Sequence, residues 1–143
     1  MSSEEEVRKA SQQFYSALSR MASGTTGAMT DVWAHGNAVT AMHPIGGRQV
    51  GWQQVGDSFD QVAQIASKGH VKLDDQFIQV NGDLAYELGV ERGEATLAGQ
   101  HVPFNHRVTN IYRREGGTWK IVHHHTDLSP AMLELLARLQ AKK

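Results

Sequence analysis

The segment Tyr112–Asp127, YRREGGTWKIVHHHTD, organises the reading of the whole chain. It starts on a basic pair, turns over Gly116-Gly117, and runs through Trp119, Ile121 and Val122 into three consecutive histidines. A glycine turn between β-rich flanks reads as a hairpin. Alternate residues of an extended strand share a face, which groups Trp119, Ile121, His123 and His125. Lys120, Val122, His124 and Thr126 fall opposite. The first face grades from apolar to imidazole, as the wall of a small pocket with a polar end would.

Around this hairpin the composition is that of an ordinary globular protein. At 143 residues, 40% hydrophobic and 20% charged, the chain is expected to form one domain, 1–143, with a real core. A net charge of -1 argues against a broad basic footprint for nucleic acid or an anionic membrane. Cysteine is absent, which removes disulfides and thiolate chemistry. The opening MSSEEEVRK is too acidic for a signal peptide, and no apolar run is long enough to span a bilayer, so a cytoplasmic location is expected. Eight histidines are the one compositional oddity.

Upstream, Ser3 and Glu6 read as a capping box, and Val7, Ala10, Phe14, Ala17, Leu18 and Met21 recur at helical spacing. They predict a helix over 4–22. Met29, Val32 and Trp33 suggest a short second helix, and Ala38–His43 a short strand closed by Pro44 and Gly46-Gly47. Trp52, Val55, Phe59, Val62, Ile65 and Ala66 make the stripe of a third helix, with Gly69 as its C-cap. The period then changes to two. Val71–Val80, Leu84–Glu94, Gln100–Arg114 and Thr118–Thr126 are expected strands, with turns at Asn81-Gly82, Ala98-Gly99 and Gly116-Gly117. Pro103 cannot donate to a ladder and should mark a bulge or a free edge. Ser129-Pro130 starts a last helix carrying Met132, Leu135, Leu136 and Leu139. Helices followed by a meander predict an α+β fold, its twisted antiparallel sheet covered by helices on one face.

Turn lengths suggest registers. A two-residue turn at Ala98-Gly99 places Val90 opposite Arg107 and Leu88 opposite Thr109. A three-residue loop at 115–117 places Ile111 opposite Ile121, Thr109 opposite His123 and Arg107 opposite His125. One face then collects Tyr86, Leu88, Val90, Ile111, Trp119 and Ile121 with Arg107, Thr109, His123 and His125. Glu87, Glu91, His106 and His124 share the other. Because the first set is apolar, it is taken as the inner face. There Arg107 would supply a donor fork to an organic anion or carbonyl compound, and the imidazoles would bond to it or move protons. Trp33, Tyr86, Thr109 and Trp119 would complete the wall. The competing reading is structural: Arg107 and the histidines satisfying backbone or neighbouring groups. Tyr15 reads as a helix-surface residue. A metal is not expected, because His-x-His supplies half a zinc site and the carboxylates fall on the opposite face.

The hairpin and the middle segment Val39–Gly47, VTAMHPIGG, followed by Gly51, together resemble the nuclear transport factor 2-like superfamily, over roughly residues 5–127. The likeness is closest to its SnoaL-like members and to the association domain of calcium/calmodulin-dependent protein kinase II. It implies a cone: a strongly curved sheet wrapped around three N-terminal helices, here with a short C-terminal helix added, enclosing a pocket. It also implies homodimers through the outer sheet face and no cofactor. In ketosteroid isomerases the residue before the proline is the general base, which points to His43. Their oxyanion-hole tyrosine falls at Phe14, with Tyr15 one residue away, so a steroid isomerase is not implied. The kinase association domain lines its pocket with arginines and histidines, which supports Arg107, His123 and His125. The expected function is therefore a small-molecule-binding domain, with His43 and His125 as acid–base groups of an isomerase-, cyclase- or hydratase-like reaction. The alternative is a non-catalytic oligomerisation domain. Neither nucleic acid nor membrane is an expected partner.

Overall fold

The computed structural model describes residues 2–141. Helix α1 (Ser3–Met21) is capped by Ser2, whose hydroxyl accepts from the Glu5 N–H, and Glu4, Glu5 and Glu6 in its first turn complement the helix dipole. The cap thus falls one residue earlier than Ser3 and Glu6 suggest. Val7, Ala10, Phe14, Tyr15, Ala17, Leu18 and Met21 form its buried face.

The expected second helix is a succession of turns. Gly24 and Gly27 take positive φ, and backbone bonds from Ala34 to Ile121 and from Ile121 to Val32 hold the segment against the sheet. Trp33 forms a parallel bridge with Ile121 and is fully buried among the rings of Phe14, Trp52 and Phe59. Two helices therefore precede the long strands, not three.

β1 (Thr40–His43) and β2 (Gly46–Val50) form a hairpin, and α2 (Trp52–Ala63) follows. The long meander is β3 (Ala66–Asn81), β4 (Leu84–Leu97), β5 (Gln100–Glu115) and β6 (Thr118–Thr126), and α3 (Pro130–Ala141) closes the described chain. The sheet order is β2-β1-β6-β5-β4-β3, curled but not closed. It is mixed, because β1 runs parallel to β6. The entirely antiparallel sheet expected from the hairpin turns missed this one non-sequential pairing. The α+β class stands as expected.

α2 stops at Ala63, and Gly69 lies inside β3 rather than capping the helix. A Cβ on Gly69 would sit 2.2 Å from the Ala22 carbonyl oxygen, so the end of α1 approaches β3 too closely for any side chain. Pro103 lies where only β4 flanks β5, since β6 pairs with β5 only from Val108 onward. That is the free edge expected of it. Ser129 and Pro130 open α3 as expected, the Met132 N–H donating to the Ser129 hydroxyl.

The β4–β5 register is the expected one, with Val90 opposite Arg107 and Leu88 opposite Thr109. The β5–β6 register is not. Glu115 pairs with Thr118, so Gly116-Gly117 is a two-residue turn with both φ positive, the geometry that matches strand twist. Tyr112 then pairs with Ile121, but Ile111 pairs with His123, leaving Val122 as the extra residue of a bulge. Before the bulge Trp119 and Ile121 point inward; after it His124 and Thr126 do.

This inverts the expected faces of β4 and β5 and of the histidines, while Trp119 and Ile121 stay inward as expected. Glu87, Glu91, His106, Asn110, Tyr112 and His124 are buried against the helices. Tyr86 and Leu88 are exposed on the convex side, as are Arg107 and His125. The helix α1 packs on the concave face against β3 and β6.

Candidate functional site

A cavity of about 230 Å³ lies between the concave face and the three helices. Leu18, Met21, Phe59, Val62 and Phe104 make much of its wall, and Met132 and Leu136 of α3 close one side. Its polar end is built by His43, Glu91, His106 and His124.

Glu91 on β4 is the centre of this end. The Tyr15 hydroxyl donates to its Oε2 at 2.9 Å, and His106 Nε2–H donates to its Oε1 at 2.8 Å. Burial, the largest influence, pushes the Glu91 pKa up, but His124, His106 and the Tyr15 bond together hold it below the usual carboxylate value. Glu91 is therefore an ionised carboxylate in an apolar cavity. Burial and the neighbouring Glu91 charge raise the Tyr15 pKa well above 10, which keeps the phenol a donor.

His124 lies beside it. Its Nδ1 meets Asn110 Oδ1 at 2.7 Å, and its Nε2 stands 3.9 Å from Glu91 Oε2, too far for a hydrogen bond. Burial lowers its pKa and the Glu91 charge opposes that shift, so His124 rests neutral with an anion ready to stabilise its protonated form. His106 Nδ1 has no hydrogen-bond partner.

His43, at the end of β1, faces the same cavity. Its Nε2 is 2.8 Å from the Ser58 hydroxyl, which itself donates to the Val55 carbonyl. The Ser58 proton is thus committed, Nε2–H must donate, and Nδ1 keeps its lone pair. Burial and His124 push the His43 pKa down to about 3, so it too is neutral near pH 7. The Phe59 ring meets His43 edge-on at 4.8 Å.

Of the residues expected at the site, only His43 lines this cavity. Arg107 projects to solvent and forms a two-pronged pair with Asp127, at 2.8 and 3.2 Å. His125 is exposed on the same side, with Thr109 half-buried beside it. His123 is half-buried and bonds the Thr40 hydroxyl at 2.7 Å. Tyr86 is on the convex face. Trp33 and Trp119 are core residues, Trp119 lying under the Arg114 guanidinium. The pocket is thus lined by histidine and glutamate, not histidine and arginine. The parity that groups Glu87, Glu91, His106 and His124 was correct; assigning that group to the outside was not. Tyr15, read as a surface residue, is buried, and its one usable signal was its place beside Phe14 on the apolar stripe.

Among the described residues no three His, Asp or Glu side chains are grouped as a metal site requires, and no helix is long and apolar enough to cross a membrane.

No curated protein matches the chain significantly. Solved structures do. A proposed dehydratase of the nuclear transport factor 2-like family from Streptomyces avermitilis is 24% identical, with 89% of this chain and 96% of that one covered and a TM-score of 0.75. A nuclear transport factor 2-like superfamily protein from Salmonella enterica is 19% identical over 86% and 88% of the two chains, with a TM-score of 0.76. A proposed calcium/calmodulin-dependent protein kinase type II association domain from Thiobacillus denitrificans is 23% identical over 85% and 94%, with a TM-score of 0.70. At these identities the likeness establishes the fold. The SnoaL-like domain model matches residues 7–132, and the chain belongs to that family.

Proposed function

We propose that the domain binds a small uncharged carbonyl or hydroxyl compound and performs cofactor-independent proton transfer on it, an isomerase- or lyase-type reaction. The observation that carries this reading is the pair His124 Nε2 and Glu91 Oε2, 3.9 Å apart at the end of an apolar cavity. With Nδ1 donating to Asn110, Nε2 presents a lone pair to an ionised carboxylate. Two neighbouring acceptors are completed by a donor or an acidic C–H that reaches them from the cavity side. His124 then takes the proton, and Glu91 stabilises the imidazolium that forms. His43 is a second neutral imidazole on the same cavity and serves as a second acid–base group.

The ligand is uncharged because no arginine or lysine is among the described lining residues, while Glu91 is anionic. An organic anion would be repelled there. Water elimination, the chemistry proposed for the Streptomyces avermitilis neighbour, belongs to the same acid–base class.

The test uses cyclohexanone and cyclohexanecarboxylate as probes of equal size. Cyclohexanone should perturb the His106 and His124 imidazole resonances, and its α-hydrogens should exchange into D2O faster with the wild type than with His124→Gln. Preferential binding of the carboxylate, or exchange indifferent to His124, overturns the reading.

A second reading rests on a different observation. Phe77, Leu84, Tyr86 and Leu88 lie exposed together on the convex face of β3 and β4, which favours self-association through that face. Light scattering should find a homodimer; a monodisperse monomer overturns this part.

A further inference from the structure

We infer that Glu87, a buried carboxylate outside the cavity, is a positioning residue that fixes, through Asn110, which nitrogen of His124 carries the proton. The inference deepens the proposed acid–base reading of His124. Glu87 is fully buried, yet it is absent from the cavity wall. Three donors converge on it. Asn110 Nδ2 and the Tyr112 hydroxyl donate to Oε1 at 3.0 and 2.8 Å, and Gln76 Nε2 donates to Oε2 at 2.7 Å.

The polarity of this chain of bonds is set at both ends. Arg8 is donor-only, and its Nη1 reaches Gln76 Oε1 at 2.6 Å, so the Gln76 nitrogen must face Glu87. Gln76 and the Tyr112 hydroxyl already donate to the two Glu87 oxygens, so the Asn110 nitrogen must face Glu87 as well. The second Asn110 N–H donates to the Tyr15 oxygen at 2.9 Å, and the Tyr15 O–H in turn donates a hydrogen bond to Glu91. Asn110 Oδ1 is left for His124, whose Nδ1 must therefore donate. The Nε2 lone pair is then directed towards Glu91 by an arrangement that begins at a surface arginine. Reversing the Asn110 amide would set its carbonyl against the Glu87 carboxylate, two acceptors in a buried site. A carboxylate at position 87 makes the amide one-way.

The test is the histidine tautomer, read by two-bond 1H–15N correlation spectra of the imidazoles near pH 7.5. Wild type should show His124 with a protonated-type Nδ1 and an unprotonated-type Nε2. In Glu87→Gln the amide at 87 can donate as well as accept, Asn110 can turn over, and the two His124 nitrogen shifts should move towards each other. Tyr112→Phe removes a donor to Glu87 and leaves Asn110 constrained, so its His124 shifts should stay as in wild type. Asn110→Leu should give the same averaging as Glu87→Gln, and it serves if the latter does not fold. A wild-type His124 protonated on Nε2, unchanged shifts in Glu87→Gln or Asn110→Leu, or equal averaging in Tyr112→Phe overturns the inference. These spectra need no ligand. A correct tautomer with no His124-dependent exchange of cyclohexanone defeats the acid–base reading and leaves the positioning role standing.

Discussion

On its concave side β4 presents Ala85, Glu87, Glu91 and Ala95, all buried; on its convex side the same strand presents Leu84, Tyr86 and Leu88, all exposed. Residue type alone would assign these faces the other way. The concave face can hold two carboxylates because each is supplied with donors: Tyr15 and His106 for Glu91, Asn110, Tyr112 and Gln76 for Glu87. A buried charge with such partners is tolerable where an unpartnered one is not. The comparison teaches that hydrophobic residues inside is a one-way rule.

The sharpest test of this contrast is one substitution on each side. Phe14→Ala empties a fully buried site facing the concave surface and should cost about 3–5 kcal/mol in urea denaturation. Phe77→Ala, at a half-exposed convex position, should change the stability of the isolated chain by about 0.5 kcal/mol or less. Similar losses at both positions would dissolve the distinction.

Acid should act through the concave face. His43 and His124 have pKa values lowered below the unfolded value of about 6.5, and Glu91 lies below its own unfolded value. In each case the unfolded chain binds more protons than the folded one as pH falls, so stability present at pH 7 is lost from about pH 6.5 downward for the two histidines and only from about pH 4.5 downward for Glu91. Each fully engaged group contributes at most about 1.4 kcal/mol per pH unit. Denaturation at pH 7 and pH 5 should show the loss, and His43→Gln should flatten it.

A subtler effect is electrostatic. Glu91→Gln removes the charge that raises the His124 pKa, so that value should fall further in an NMR titration. A rise would mean that the Glu91 charge does not stabilise the protonated ring. The smallest expected effect lies outside: Leu88→Ser should leave monomer stability within about 0.5 kcal/mol. Its consequence should appear as weaker self-association in light scattering.

Much of the fold was legible because its signals are local. Helical spacing marked α1, alternation marked the four long strands, and Ala98-Gly99 set one register correctly. The parallel pairing of β1 with β6 was not legible, because no turn connects those strands and the contact depends on the tertiary fold. The site was lost by two steps. A three-residue turn was taken where glycines at 116 and 117 make a two-residue one, and the large side chains of Tyr86 and Leu88 were read as core. Neither error changes which residues share a face of β4 and β5; both change which face meets the helices. His43 lies on the cavity wall because its position at the end of β1, before Pro44, does not depend on the hairpin register.

The bulge at Val122 has a consequence for how this domain can diverge. One residue, carrying no chemistry of its own, decides whether the cavity receives the middle histidine of the run or its two neighbours. Deleting or shifting it would exchange one imidazole set for another while leaving composition and strand length almost unchanged. Relatives with a histidine in the same alignment column can therefore direct it to opposite sides of the sheet. Between proteins near 20% identity, transfer of a site residue along this strand has to follow the hydrogen-bond ladder rather than the column.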